Sequence, residues 1–418
     1  MTTEHRTAAD VIVPESPAGP LNVVLGGAPL LGRLTGIGRY TYELARALVV
    51  SQIVDDFRLW GDLRFLDAGR ILKRADPAGE DPAGLGDKKI RKRPGSLAVS
   101  ARVLASRSYL ASMVYQFVSS SMAQRRLKPL GGSHLYHSPN FIMPHFDGAR
   151  VMTIHDLSTI RFPQFHRKQM VALCEGGIHL ALEGKVHVIT DSFLVRDELV
   201  NDFGVDSSRI STVHLAPDPR CRPKHESECR HVLNTLGLRH KAFFLSVGTV
   251  EPRKNLLRVF EAFRAGRLAS HFDWPLIVVG ASGWKSIKEH EMLGGLIKDG
   301  LALYLDYVTD DMLLNLYASA GALVFPSLYE GFGLPVLEAA ACGCPVITSE
   351  RSAMAEFAPE ETLFVNPEDV SSISGALKAI PSKPEFGSGF DAGAQAASRT
   401  WVDVAQDTSE VYRAALRS

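Results

Sequence analysis

Two carboxylates and two cations stand beside glycine turns in this 418-residue chain. Glu330 and Glu338 bracket the turn in FPSLYEGFGLPVLEAAACGCPVITS, residues 325–349. Arg253 and Lys254 are adjacent in GTVEPRKN, residues 248–255. Backbone N–H groups on a glycine loop and at a helix N-terminus gather positive potential, which suits phosphate. Phe332, Gly333 and Leu334 would supply those groups. Ionised carboxylates accept hydrogen bonds from hydroxyls. Arg offers a planar fork to an anion and Lys a point charge. Phosphate flanked by hydroxyl-rich groups describes a nucleotide sugar.

Such groups need elements to hold them. The run Gly321 to Phe325 predicts a buried strand that feeds the glycine turn. Pro335 suits the first helical position, Val336 to Ala341 continue the helix, and Gly343 closes it. That places Glu338 in the first helical turn. Ala242 to Val247 predicts a second buried strand, with Gly248 after it and a helix over residues 257–263 beyond GTVEPRKN. Near the start, Leu21 to Leu25 reads as a strand, and Gly36-Ile37-Gly38 leads into a helix. That spacing fits neither a dinucleotide fingerprint nor a P-loop. Further strands are expected at 135–137, 151–154, 186–190, 210–214, 276–280, 301–308 and 362–365. Helical patterns between many of them argue for parallel sheets. Two polar clusters follow strands: His137-Ser138-Pro139-Asn140 and His155-Asp156-Leu157-Ser158. Ligands of open α/β sheets gather at that end of strands. Thr309 is expected to cap a helix through Tyr317. The segment 401–416 is amphipathic, with Val404, Val411, Tyr412 and Leu416 along one side.

The stretch EGFGLPVLEAAACGCPV resembles the E-x7-E signature of the retaining glycosyltransferases of family 4, which have the GT-B fold. GIGRYTYEL, HDLSTIRFP and GTVEPRKN are similar to bacterial mannosyltransferases of polysaccharide and O-antigen assembly. The resemblance spans most of 21–416. It implies an α/β protein of two Rossmann-like domains whose parallel sheets face a central cleft, with a last helix crossing back to the first domain and Trp401 anchoring it. The expected division is a disordered tail over 1–20, an acceptor domain over 21–217, a linker over 218–240, a nucleotide-sugar domain over 241–400 and the final helix over 401–418.

The resemblance also implies roles. Glu330 holds donor-sugar hydroxyls and Glu338 holds the ribose. Arg253 and Lys254 clamp the diphosphate, with Gly248 in the same loop. Many members carry a further Arg at the position of Thr249, so this chain departs there. His137 is the closer match to a His that approaches the donor sugar, and His155 the second. Gly36 and Gly38 face the cleft near phosphate or acceptor. Backbone near Tyr307 and Val308 meets the base, which side chains cannot reveal. The expected catalytic set is thus Glu330, His137, Arg253 and Lys254.

Bulk composition sets the remaining limits. Lys plus Arg and Asp plus Glu each number 46, so no net field points to nucleic acid. No run reaches the roughly 20 apolar residues of a spanning helix. The N-terminus lacks a signal-peptide pattern. Five cysteines without zinc spacing suggest reduced thiols and a cytoplasmic protein. From Lys88 to Lys128 there is no Asp or Glu, and ten Lys or Arg alternate with apolar residues. Both a solvated basic face and a peripheral contact with anionic membrane on the inner face fit that stretch. No cofactor is expected, and no metal, since the chain has no Asp-x-Asp and cationic side chains stand in. The reaction that the resemblance implies moves a sugar, best mannose from GDP-mannose, to a hydroxyl of a glycan or lipid-linked glycan in cell-surface polysaccharide synthesis. UDP- or dTDP-sugars, another GT-B activity, and a non-catalytic GT-B binding subunit are the alternatives.

Overall fold

The computed structural model describes residues 20–31, 34, 36–61, 63–74, 118–119, 121–283, 285–382 and 398–418. The expected tail over 1–20 lies outside them apart from Pro20, as does nearly all of the basic stretch 88–128. Only its end is described: residues 121–127 are helical, with Ala123 and Leu127 buried and Arg125, Arg126 and Lys128 exposed.

Two sheets organise the chain. The first contains β1 (Asn22–Gly26), β2 (Asp56–Trp60), β3 (Phe65–Leu66), β4 (Leu135–Ser138), β5 (Arg150–Ile154), β6 (His187–Thr190) and β7 (Ile210–Thr212). Its strands run in the order β3-β2-β1-β4-β5-β6-β7, parallel except for the short antiparallel edge strand β3. The second contains β8 (Phe244–Val247), β9 (Leu276–Val279), β10 (Ala302–Leu305), β11 (Ala322–Phe325), β12 (Val346–Ser349) and β13 (Leu363–Val365). Its order is β10-β9-β8-β11-β12-β13, all parallel. The central strands β9, β11 and β12 are buried along their whole length, as a parallel sheet covered on both faces requires. These are the continuous apolar runs that made the strands legible.

Strand order reverses direction between β1 and β4 in the first sheet and between β8 and β11 in the second. At such a switch point the two adjacent crossovers leave on opposite faces, and a crevice opens at the carboxyl ends of the strands. The glycine turn carrying Glu330 follows β11, and the turn carrying Arg253 and Lys254 follows β8. Topology therefore brings together residues about 76 positions apart.

The expected connection over 218–240 contains a full helix, Glu226–Leu236, started by a capping box at His225 and ended by Gly237 in a left-handed conformation (φ 64°). It packs against the Asp310–Ser319 helix of the second half, which Thr309 caps as anticipated. The last helix, Trp401–Arg417, starts on a capping box of Thr400 and Asp403. It returns to the first half and packs against the Gly36–Val50 helix and strands β5 and β6. Trp401 anchors it, donating from Nε1 to the Pro217 carbonyl at 3.1 Å. Val404, Val411 and Tyr412 are buried as the spacing predicts, but Leu416 is half exposed, and Ala415 completes the inner face instead. A helix advances 100° per residue, so Ala415 continues the 404-408-411-412 stripe and Leu416 passes beyond it.

Candidate functional site

Glu330 lies at the centre of the second switch point. Lys254 Nζ is 2.6 Å from one of its oxygens and Arg253 Nη1 is 3.0 Å from the other. Burial alone would raise this carboxyl, but the two cations outweigh it and hold Glu330 down to about 2. It is therefore an ionised acceptor across the whole physiological range. Arg253 does more than balance charge. It also donates to the Tyr329 carbonyl at 2.8 Å and pairs with Glu251 at 2.8 Å, while its own carbonyl accepts from Leu328 N–H at 2.9 Å. It bolts the turn after β8 to the loop after β11. Its buried Nε has no partner. Lys254 Nζ also lies 4.7 Å above the Phe325 ring.

The glycine turn after β11 is shaped by contacts that a side chain would prevent. A Cβ on Gly331 would stand 1.7 Å from the His155 carbonyl oxygen. Gly333 adopts φ 111° and caps the Leu334–Ala341 helix, a conformation nearly closed to other residues. The helix begins one residue before Pro335, so Glu338 falls in its second turn and not its first. A dipole role for Glu338 is thereby weakened, since that effect fades within one turn. Phe332 and Val308 are buried in the large core, and Gly248 turns with φ 138° beside the Lys254 side chain.

Glu338 occupies a different electrostatic setting. Burial pushes its carboxyl up to about 7; Arg39 opposes the shift, and Asp218 and Asp310 add to it. Arg39, one residue after Gly38, pairs with Asp218 at 2.7 Å and with Asp310 at 2.8 Å, tying the first half to the second. Gly38 packs against the Pro29 carbonyl, whereas a Cβ on Gly36, the first helical residue, would meet no atom of the described residues within 4 Å.

His137 does not stand where its expected role requires. It is fully buried inside β4, with Nδ1 2.7 Å from Tyr412 Oη and Nε2 2.8 Å from Thr153 Oγ1. Both ring nitrogens are consumed, so neither is left for a sugar. Burial pushes the ring down to about 3, and it stays neutral. His155, at the end of β5, comes to the glycine turn instead, touching Gly331 through its backbone. Its ring bonds Asp191 at 2.6 Å and the Pro139 carbonyl at 3.0 Å. Two acceptors demand two N–H groups, and although burial disfavours charge, Asp191 raises this imidazole.

Several participants were not evident in the sequence. Asn255, in a left-handed conformation (φ 61°), ties the turn after β8 to the loops after β11 and β13 by donating to the Pro326 and Pro367 carbonyls. Tyr329 donates to Glu198 at 2.5 Å and accepts from Leu157 N–H, crossing the cleft just before Glu330. An Asn after two cations was a visible signal; the reach of Tyr329 was not. Among the described residues, no three His, Cys, Asp or Glu side chains converge as metal ligands, and no helix is long and apolar enough to cross a membrane.

Comparison with known proteins agrees with this geometry. Residues 236–395 match the family model for glycosyl transferases group 1. An O-antigen chain mannosyltransferase B of Escherichia coli is 31% identical over 85% of this chain and 90% of its own length. An O-antigen chain mannosyltransferase of Salmonella typhimurium is 28% identical over 68% of this chain and 75% of its own. Among solved structures, the sucrose-phosphate synthase of Thermosynechococcus elongatus superposes with a TM-score of 0.63 over 94% of this chain and 98% of that one, at 17% identity. WaaG, a glycosyltransferase involved in lipopolysaccharide biosynthesis, gives 0.61 over 93% and 99% at 14% identity. With two Rossmann-like halves, a glycine turn bearing Glu330 at the second switch point, and that extent of identity, the chain belongs to the group 1 glycosyltransferases and is an enzyme of GT-B fold.

Proposed function

We propose that the protein transfers a mannosyl group from GDP-mannose to a hydroxyl of a glycan or lipid-linked glycan during cell-surface polysaccharide assembly, with retention at the anomeric carbon. The observation that carries this reading is the triad of Arg253, Lys254 and Glu330 at the second switch point, in a chain that has two O-antigen mannosyltransferases among its relatives over most of its length.

Glycosyl transfer passes through an oxocarbenium-like state as the diphosphate leaves, so fixed positive charge at the leaving group is the main requirement. Glu330 takes one of the three N–H groups of Lys254, which leaves this cation able to meet a phosphate oxygen as well. Arg253, engaged by Tyr329, Glu251 and Glu330, chiefly fixes where Glu330 stands. Glu330 then accepts from donor-sugar hydroxyls and orients the ring, an effect of position. Glu338 accepts from the ribose. The departing phosphate takes the acceptor's proton, so no separate base is needed, and the side-chain cations do the work that a divalent metal does elsewhere. The basic stretch 88–128, with Arg125, Arg126 and Lys128 exposed at its described end, supports approach to an anionic membrane that carries the acceptor.

The test is nucleoside-diphosphate release from GDP-mannose, UDP-sugars and dTDP-sugars, with membrane extract as acceptor, with and without EDTA. GDP release from GDP-mannose that survives EDTA, with an axial product linkage by NMR, is the expected result. Turnover of a UDP- or dTDP-sugar alone overturns the donor. Loss of activity in EDTA overturns metal independence. No consumption of any donor overturns transfer.

A further inference from the structure

The first turn of the Phe193–Asn201 helix is completed by the other half of the molecule. A helix begins with N–H groups that have no partner within it. Ser192, the N-cap, accepts from Val195 N–H and so satisfies one of them. Phe193 and Leu194 N–H instead donate to the two oxygens of Glu356, at 2.8 Å each. His214 Nε2 meets the same carboxylate at 2.9 Å. These three contacts, two of them to N–H groups at a helix N-terminus, hold Glu356 below the ordinary carboxylate range against its partial burial.

Glu356 ends the short 3-10 turn Ala353–Glu356 after β12, so this contact joins the second half to the first. The neighbours of the contact belong to the donor turn. Ser192 Oγ donates to the Gly331 carbonyl at 2.7 Å. Phe357, next to Glu356, stacks on Phe332 with ring centroids 4.3 Å apart and planes at 24°. Gly331 and Phe332 directly follow Glu330. The residue that carries the charge balance of the site is therefore held in place by a helix end of the opposite half.

We propose that Ser192 and Glu356 form a two-point clasp that positions the Glu330 turn for transfer and couples it to docking of the two halves. Both are positioning residues: neither touches the reacting atoms, and each acts through Gly331 or Phe332. The docked arrangement satisfies Phe193 N–H, Leu194 N–H and the Gly331 carbonyl together. Separation of the halves releases all three to water, and the turn loses its fixed geometry at the same moment. The catalytic part of this inference rests on the proposed donor site; the clasp itself does not.

The test uses Glu356→Ala, Glu356→Gln and Ser192→Ala in the full chain. Amide hydrogen exchange is read at residues 193–194 and 330–333, and GDP-mannose turnover is read as kcat and KM separately. Expected for Glu356→Ala is exchange about tenfold faster at both segments. Its kcat should fall about 10²-fold, the scale of a misplaced catalytic geometry. Affinity for GDP alone should stay within about threefold, because the nucleotide is held by the second half. Glu356→Gln keeps one good acceptor and should recover part of the kcat. Ser192→Ala should loosen 330–333 more than 193–194. Unchanged exchange at 193–194 in Glu356→Ala overturns the clasp. Faster exchange at 193–194 without any change at 330–333 overturns positioning. A wild-type enzyme inert to GDP-mannose defeats the donor reading alone, because the exchange results still decide the clasp.

Discussion

The two switch points share a topology and are filled in opposite ways. At the first, between β1 and β4, a set of neutral buried groups is bonded in series: Tyr412, His137, Thr153 and Tyr40 form a chain with links of 2.7, 2.8 and 2.9 Å. At the second, between β8 and β11, the groups are charged, and one carboxylate bridges two cations. A neutral chain with every nitrogen engaged is a finished structure. A buried cluster of ions is a poor source of stability, since well-packed apolar groups of similar volume are often at least as stable. The same fold thus builds a neutral seam in one half and a cluster of ions in the other, and the difference lies in side chains.

Substitutions at the charged switch point sharpen this contrast most. Glu330→Gln should lower kcat by about 10²–10³-fold, the scale for losing a preorganised transition-state contact. It should also tighten GDP binding, measured by calorimetry, because the carboxylate no longer competes for Lys254 and Arg253. Weaker GDP binding in this variant would mean that Glu330 does not share those cations with the diphosphate. Next in size is Lys254→Ala, expected to lower kcat/KM by about 10²-fold and to weaken GDP binding. Arg253→Lys should cost less affinity and more kcat, since Lys cannot keep the fork that fixes Tyr329, Glu251 and Glu330. Equal effects of both on GDP affinity would return Arg253 to the clamp.

A smaller effect is expected from pH. The Glu338 carboxyl titrates near 7 in the free protein. If its ionised form accepts from the ribose, binding favours loss of the proton and GDP affinity rises with pH up to about 7, then levels. The limit is about tenfold per pH unit on the acid side. Glu338→Gln should flatten that profile while leaving a weak residual affinity. A profile unchanged by the substitution assigns the titration to another group.

The elements were legible because buried parallel strands are short apolar runs and the turns are written in glycine and proline. Lys254 and Arg253 were legible because two cations at a loop end call for an anion, and Glu330 because it opens the E-x7-E stretch. Their pairing was not: Lys254 and Glu330 are 76 residues apart, strand order brings them together, and no local pattern encodes the contact. Ser192 and Glu356 were invisible for the same reason. A Ser before a helix and a Glu in a loop look ordinary until the halves meet. His137 failed differently. It ends the predicted strand 135–137, where the resemblance places a ligand histidine, yet β4 extends one residue further, to Ser138, and the ring is bonded inward to Tyr412 and Thr153.

The smallest catalytic effect and the clearest structural one should come from His137. If its role is the seam, His137→Gln should leave kcat within about threefold of wild type. It should cost about 1–3 kcal/mol of stability, the range for disturbing buried polar partners such as Tyr412 and Thr153. The pH dependence of unfolding gives a second, independent reading. The folded ring is held down to about 3, below its ordinary value of 6.5. Above 6.5 both states are neutral and the group contributes its full stability. As pH falls from 6.5 toward 3, the unfolded chain binds a proton that the folded one refuses, and that stability is lost. Denaturant titrations of wild type and His137→Gln should therefore differ in slope between pH 6.5 and 4, with the variant flatter. A large fall in kcat with unchanged stability would move the histidine out of the seam and make the first switch point a second chemical site.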